Sequence, residues 1–202
     1  MIIHTSKGKR EIKCPDSWAN TSTANYQNLM REWDGKDLVK LFAILTGVEL
    51  KTLANTHDLE LEEALLIATN FIYTEPPTFK EKPAPKEFTY NSKKITFPKQ
   101  VEGFSIGQSI LIRQRLDEVK TYDELISYAL AVYLQPKIDG GDFDSDRVED
   151  IEAEILKMPI TETYPLGFFL LRPLMRRGAS GWKIVRLLTI RYLKGLFKGG
   201  NR

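Results

Sequence analysis

Thr121-Tyr-Asp-Glu-Leu-Ile-Ser-Tyr-Ala-Leu-Ala-Val-Tyr-Leu134 decides how this sequence is read. Tyr122, Leu125, Ile126, Ala129, Leu130 and Tyr133 recur at helical spacing, and the pattern predicts a helix ended by Gln135-Pro136. Thr121 is its candidate N-cap, with Glu124 three residues on to close a capping box. A second helix is expected from about Asp146, with Val148, Ile151, Ile155 and Met158 inward and Pro159 as its stop. Leu166 to Leu171 is apolar all round apart from Gly167, which predicts a third, fully buried helix with Pro165 in its first turn. Pro173 is expected to kink or end it. Two amphipathic helices closing over that apolar third make the expected core, with Leu125, Leu130, Ile151, Ile155, Phe168 and Phe169 buried together.

Outward from this core, Ile2 to Thr5 and Lys9 to Cys14 read as a short hairpin ended by Pro15. Caps at Asn20-Thr-Ser-Thr23 precede a helix face of Tyr26, Leu29, Met30 and Trp33. The next stripe is Leu38, Leu41, Phe42 and Leu45, closed by Gly47. A short turn of helix follows at Leu50 to Ala54. Asp58 is placed to cap a further helix with Leu61, Ala64, Leu65, Ala68 and Ile72 inward. Residues 75–87 hold Pro76, Pro77, Pro83 and Pro85 and read as a linker. A second hairpin follows, with Phe88 and Tyr90, a polar Asn91-Ser-Lys-Lys turn, then Ile95 and Phe97. Ser105 with Gln108 forms a capping box, or else Ser109 to Ile112 is a third strand; both readings stay open.

The fold class is therefore α+β: a mainly α-helical bundle with one or two short antiparallel β-hairpins. A single small sheet shared by the hairpins is preferred to two independent domains, because an isolated hairpin is marginal. The expected organisation is an N-terminal hairpin with helices (residues 1–74), the linker (75–87), a hairpin with the helical core (88–177) and a basic C-terminal tail (178–202).

Charge is unevenly placed. The net charge is +2, yet nine Lys or Arg and no acid fall between Arg172 and Arg202, leaving 20 basic and 27 acidic side chains in the first 171 residues. On a helical wheel Lys183, Arg186, Arg191, Lys194 and Lys198 group opposite Val185, Leu188, Tyr192 and Leu196. Trp182, Lys183, Arg186, Arg191, Tyr192, Lys194, Phe197 and Lys198 are the candidate interaction residues. Protein, nucleic-acid phosphates and an anionic membrane are the competing partners, with protein preferred.

No catalytic constellation is legible. Asp142, Asp144 and Asp146 open like a calcium loop, but Arg147 and Ala153 stand where glycine and a bidentate glutamate belong. His4 and His57 have no second ligand at helical spacing. Cys14 is the single cysteine, and only His4 across the hairpin offers it a base. There is no phosphate-binding glycine loop. No catalytic, cofactor or metal residue is assigned, and no signal peptide or membrane span is expected.

The opening Lys9-Arg-Glu-Ile-Lys-Cys-Pro-Asp-Ser-Trp-Ala-Asn-Thr-Ser-Thr23 resembles small proteins of the structural modules of tailed bacteriophages, in which a strand leads through a proline–tryptophan corner into a helix. Leu38 to Glu49 looks like their next helix and its glycine stop. Phe104-Ser-Ile-Gly-Gln108, Leu130-Ala-Val-Tyr-Leu-Gln-Pro136 and the stretch from Met158-Pro-Ile160 to Gly167-Phe-Phe169 look like their later landmarks. The resemblance implies a non-enzymatic virion component or assembly protein, with tail assembly chaperones the nearest comparison. Its place would be the virion, or the host cytoplasm during assembly. Its partners would be other phage structural or assembly proteins, or further copies of itself, with DNA near the basic tail. A nucleic-acid-binding accessory protein and an enzyme with an unrecognised site are the alternatives.

Overall fold

The computed structural model describes residues 2–5, 8–54, 59–99 and 104–176. The fold is α+β and mainly helical, with two compact units. The first comprises Met1–Glu81 together with Leu156–Thr161; the second comprises the remainder.

In the first unit, β1 (Ile2–Thr5) pairs antiparallel with β2 (Gly8–Glu11), Ile2 opposite Glu11 and Thr5 opposite Gly8. Four helices follow, α1 (Thr23–Glu32), α2 (Leu38–Thr46), α3 (Leu50–Ala54) and α4 (Leu59–Thr74). Ser22 caps α1 by accepting from the Asn25 N–H, and Asp37 caps α2 by accepting from the Lys40 N–H. Gly47 closes α2 with φ at 68°, a left-handed position that an L side chain resists. Ile12, Phe42, Ala43, Val48, Leu53 and Leu65 form one buried cluster. A second is aromatic: Trp18 meets Tyr26, Phe71 and Phe79 edge-on at 5.7, 5.2 and 5.7 Å, and its indole N–H donates to the Glu75 carbonyl.

The proline-rich stretch is therefore not a plain linker. Its first half forms a 3-10 turn at Thr78–Lys80 that delivers Phe79, only 1% exposed, into the aromatic cluster. The boundary falls after Glu81 instead, and residues from far downstream complete the unit. The Thr23 N–H and hydroxyl both donate to the Met158 carbonyl, and the Ile160 N–H donates to the Thr21 carbonyl.

In the second unit, β3 (Glu87–Tyr90) pairs antiparallel with β4 (Lys93–Thr96). Asn91 and Ser92, with φ at 45° and 67°, make the two-residue turn whose twist suits a hairpin. Phe88, Tyr90, Ile95 and Phe97 are buried, and Phe97 stacks on Tyr133 at 5.2 Å. The two hairpins are separate two-stranded sheets, so the expected shared sheet does not form. The physical reason lies in the second hairpin: its apolar face is covered by helix, and it needs no further strands.

Helices α5 (Ile106–Glu118), α6 (Tyr122–Asp139), α7 (Val148–Lys157) and α8 (Ile160–Arg176) complete the described residues. Ser105 and Gln108 make the capping box of α5 in both directions, which excludes the third-strand alternative. The box expected at α6 is absent. Thr121 makes no capping hydrogen bond, and the Glu124 carboxylate accepts from the Lys120 N–H instead.

The helix buried on all sides is α6, where Leu125, Ile126, Ala129, Leu130, Ala131, Val132 and Leu134 are fully covered. The expectation gave that place to Leu166 to Leu171. There Leu166, Leu170 and Leu171 are buried with Gly167, while Phe168 and Phe169 stay partly exposed. Of the other expected core residues, Leu125, Leu130, Ile151 and Ile155 are buried.

Pro136 does not stop α6, which runs on to Gly140 at φ 73°. A proline leaves the carbonyl four residues earlier without its donor. That carbonyl belongs to Val132, and the Gln108 side-chain amide donates to it at 2.8 Å. Pro165 falls in the second turn of α8 rather than the first, because the Ile160–Thr21 pairing starts the helix early. Pro173 also lies within α8, and the carbonyl it leaves belongs to part-exposed Phe169. No helix among the described residues is long and apolar enough to cross a membrane.

Candidate interaction surfaces

Burial pushes the Cys14 thiol up to about 11, so it stays protonated at neutral pH and is a poor nucleophile. The His4 and His57 side chains lie outside the described residues, as do Trp182, Lys183, Arg186, Arg191, Tyr192, Lys194, Phe197 and Lys198. Among the described residues no three His, Cys, Asp or Glu side chains converge on one point. Asp144 instead turns its carboxylate back on the Asp146 N–H, an Asx turn leading into α7. A shallow groove of about 270 Å³ lies in the first unit, bordered by Asn25, Asn28, Glu32, Lys40, Gly47 and Leu50. Asn25 is spent on the Leu45 carbonyl, and Glu32, Lys40 and Glu49 are the charged groups on the border.

One ionisable cluster is buried in the second unit. Glu152, 8% exposed, accepts from the Ser127 hydroxyl at 2.7 Å and faces the Arg115 guanidinium at 3.7 Å. Arg115 also meets Glu118 at 3.3 Å and lies over the Tyr128 ring. Burial raises the Glu152 pKa, and the Ser127 hydrogen bond and Arg115 charge offset that only in part. The folded state thus holds this proton more tightly than the unfolded chain does. Stability from this group falls as pH climbs through about 4.5, and the penalty is fully present above the raised folded pKa. Glu152→Gln keeps an acceptor for Ser127 and removes the titration. Its stability relative to the parent should rise between about pH 4 and about pH 7 in urea unfolding. A difference independent of pH, or one moving the other way, would contradict this assignment.

Two surfaces present apolar side chains to solvent. In the first unit Leu66 and Tyr73, 51% and 55% exposed, stand seven residues apart on one side of α4. The Trp33 ring meets Tyr73 edge-on at 5.7 Å, which makes a two-ring ledge beside the helix. In the second unit Ile106 and Ile110, 83% and 50% exposed, stand one turn apart on α5. That helix buries Ile112 and Leu116 on another side, so its sequence carries two apolar stripes. The second stripe, Ile106 and Ile110, is the sequence signal for this surface. The first base of the C-terminal run, Arg172, sits over the Phe168 ring at 5.9 Å.

Exposed aromatic and branched aliphatic side chains in groups are the usual composition of a protein contact, and single ones are not. No protein-family model, curated protein or solved structure matches this chain.

Proposed function

We propose that this chain is a non-enzymatic bacteriophage structural or virion-assembly protein that acts through protein–protein contacts. The observation that carries the contact role is the Leu66–Tyr73–Trp33 ledge, where aromatic area is left open on a well-packed helical unit. Tyr and Trp are the residues that most often dominate binding energy at such faces. The resemblance of residues 9–23 and of the later landmarks to phage structural-module proteins supplies the setting. That setting is the virion, or the host cytoplasm during tail assembly, with phage assembly proteins or further copies as partners.

Mass spectrometry of purified particles and of assembly intermediates tests the proposal. Presence in particles assigns a permanent subunit, presence in intermediates alone assigns an assembly factor, and absence from both overturns the reading. Leu66→Ser with Tyr73→Ser should reduce incorporation severely, as loss of a contact worth about 2 kcal/mol or more would. The same pair should move folding stability by much less than a core substitution.

A second reading, a nucleic-acid-binding accessory protein, is favoured by the nine bases without an acid from Arg172 to Arg202. It requires duplex DNA affinity that falls by more than about tenfold between 50 and 200 mM salt and is lost when those bases are neutralised.

A further inference from the structure

The exposed side of α5 continues beyond Ile106 and Ile110. Phe143, from the loop after α6, lies beside Gly107, 3.4 Å from where a Cβ would stand. The same loop presents exposed Asp142, Asp144 and Asp146, and the first turn of α7 adds exposed Glu149. Of the bases nearby, Arg147 is taken by Asp150 at 2.7 Å and Asp139 at 3.5 Å, and the Lys93 ammonium donates to the Ile138 carbonyl at 2.7 Å. None of those four acids has an ion-pair partner among the described residues. The result is an apolar strip edged with carboxylates.

The chain after Arg176 has the inverse chemistry. Val185, Leu188, Tyr192 and Leu196 alternate at helical spacing with Lys183, Arg186, Arg191, Lys194 and Lys198, and no acid follows Gly178. We propose that the Trp182–Lys198 segment of this same chain docks on the Ile106–Ile110–Phe143 surface, its apolar side on α5 and its bases against Asp142, Asp144 and Asp146.

Tethering favours the chain's own segment over that of a second copy, because a short link holds it at an effective concentration in the millimolar range. α8 meets α6 at Ile126, and the surface is tied to α6 at Val132 through Gln108, about 9 Å further along the helix. The five residues between Arg176 and Trp182 reach about 17 Å when extended. The inference concerns only what covers α5, so its failure leaves the contact role of the α4 ledge standing.

Disulfide trapping in the full chain tests it. In a Cys14→Ser background, Ile110→Cys is combined in turn with Val185→Cys, Leu188→Cys, Tyr192→Cys and Leu196→Cys. The reference pairs carry Lys120→Cys, an exposed position two residues past the end of α5, in place of Ile110→Cys. In a glutathione buffer, at least one Ile110→Cys pair should close within the monomer about tenfold or more faster than its reference. Asp142→Lys with Asp144→Lys, or salt of about 500 mM, should remove most of that advantage. Equal rates for all four pairs, or disulfide-linked dimers as the main product, would overturn the proposal; dimers would assign the surface to a second copy.

Discussion

Phe79→Ala should cost about 3–5 kcal/mol of unfolding free energy, as full burial of a phenylalanine implies. Phe79 lies 5.4 Å from the Tyr26 ring and 5.7 Å from the Trp18 ring, both edge-on, and is all but sealed from solvent. Its truncation would remove two aromatic contacts and open a void between rings that hold each other in place. Trp18 is further fixed by its hydrogen bond to the Glu75 carbonyl, so the walls have little freedom to collapse. Denaturant unfolding with an unchanged m-value is the measurement. Phe168→Ala is the comparison, because part-exposed Phe168 has less to lose. A cost below about 1 kcal/mol for Phe79→Ala would mean that this stretch is a linker after all.

Gly167→Ala is the second large effect, and it reverses an ordinary preference. Within a helix the change from glycine to alanine favours folding by about 1 kcal/mol. Here the added methyl would collide with Ile126 Cγ2 and stand 2.6 Å from the Ile126 carbonyl oxygen. A side-chain tip can rotate away, but a backbone oxygen in the middle of fully buried α6 cannot. Overpacking of this kind costs about 1–3 kcal/mol, occasionally more, and the sum should be a clear loss of stability. Gly141→Ala, at an exposed position with open space around it, provides the contrast. An equal or stabilising effect at Gly167 would show that α8 does not press on α6 there.

What the sequence made legible follows from how far each signal reaches along the chain. Gly47 stops α2 through a hydrogen bond within a single turn, and that stop was readable. The hairpin around Asn91 and Ser92 is equally local. The run-through at Pro136 was not readable, because the group that satisfies Val132 comes from Gln108, 24 residues earlier. The start of α8 depends on Thr21, and the enclosure of Phe79 on Trp18 and Tyr26, which are more distant still. The inversion between α6 and Leu166 to Leu171 has a different cause. Apolar content suggested which helix would be central, but Ala129, Ala131 and Ser127 let neighbours close around α6 on every side. The surfaces escaped notice for a related reason. A stripe such as Ile106 and Ile110 has the same spacing whether it faces a core or solvent.

The Leu156–Thr161 segment has a consequence for the order of events during synthesis. Chains emerge from the ribosome N-terminus first, at about 5–20 residues per second, and an N-terminal domain ordinarily folds while the rest is being made. Here the partners of Thr21 and Thr23 are Met158 and Ile160, so the first unit waits for most of the second to be translated. For several seconds the Ser22 end of α1 would be without its final cover. An arrested nascent chain ending before Leu156 should therefore show incomplete protease resistance in residues 12–81, and one long enough to expose Thr161 should gain it.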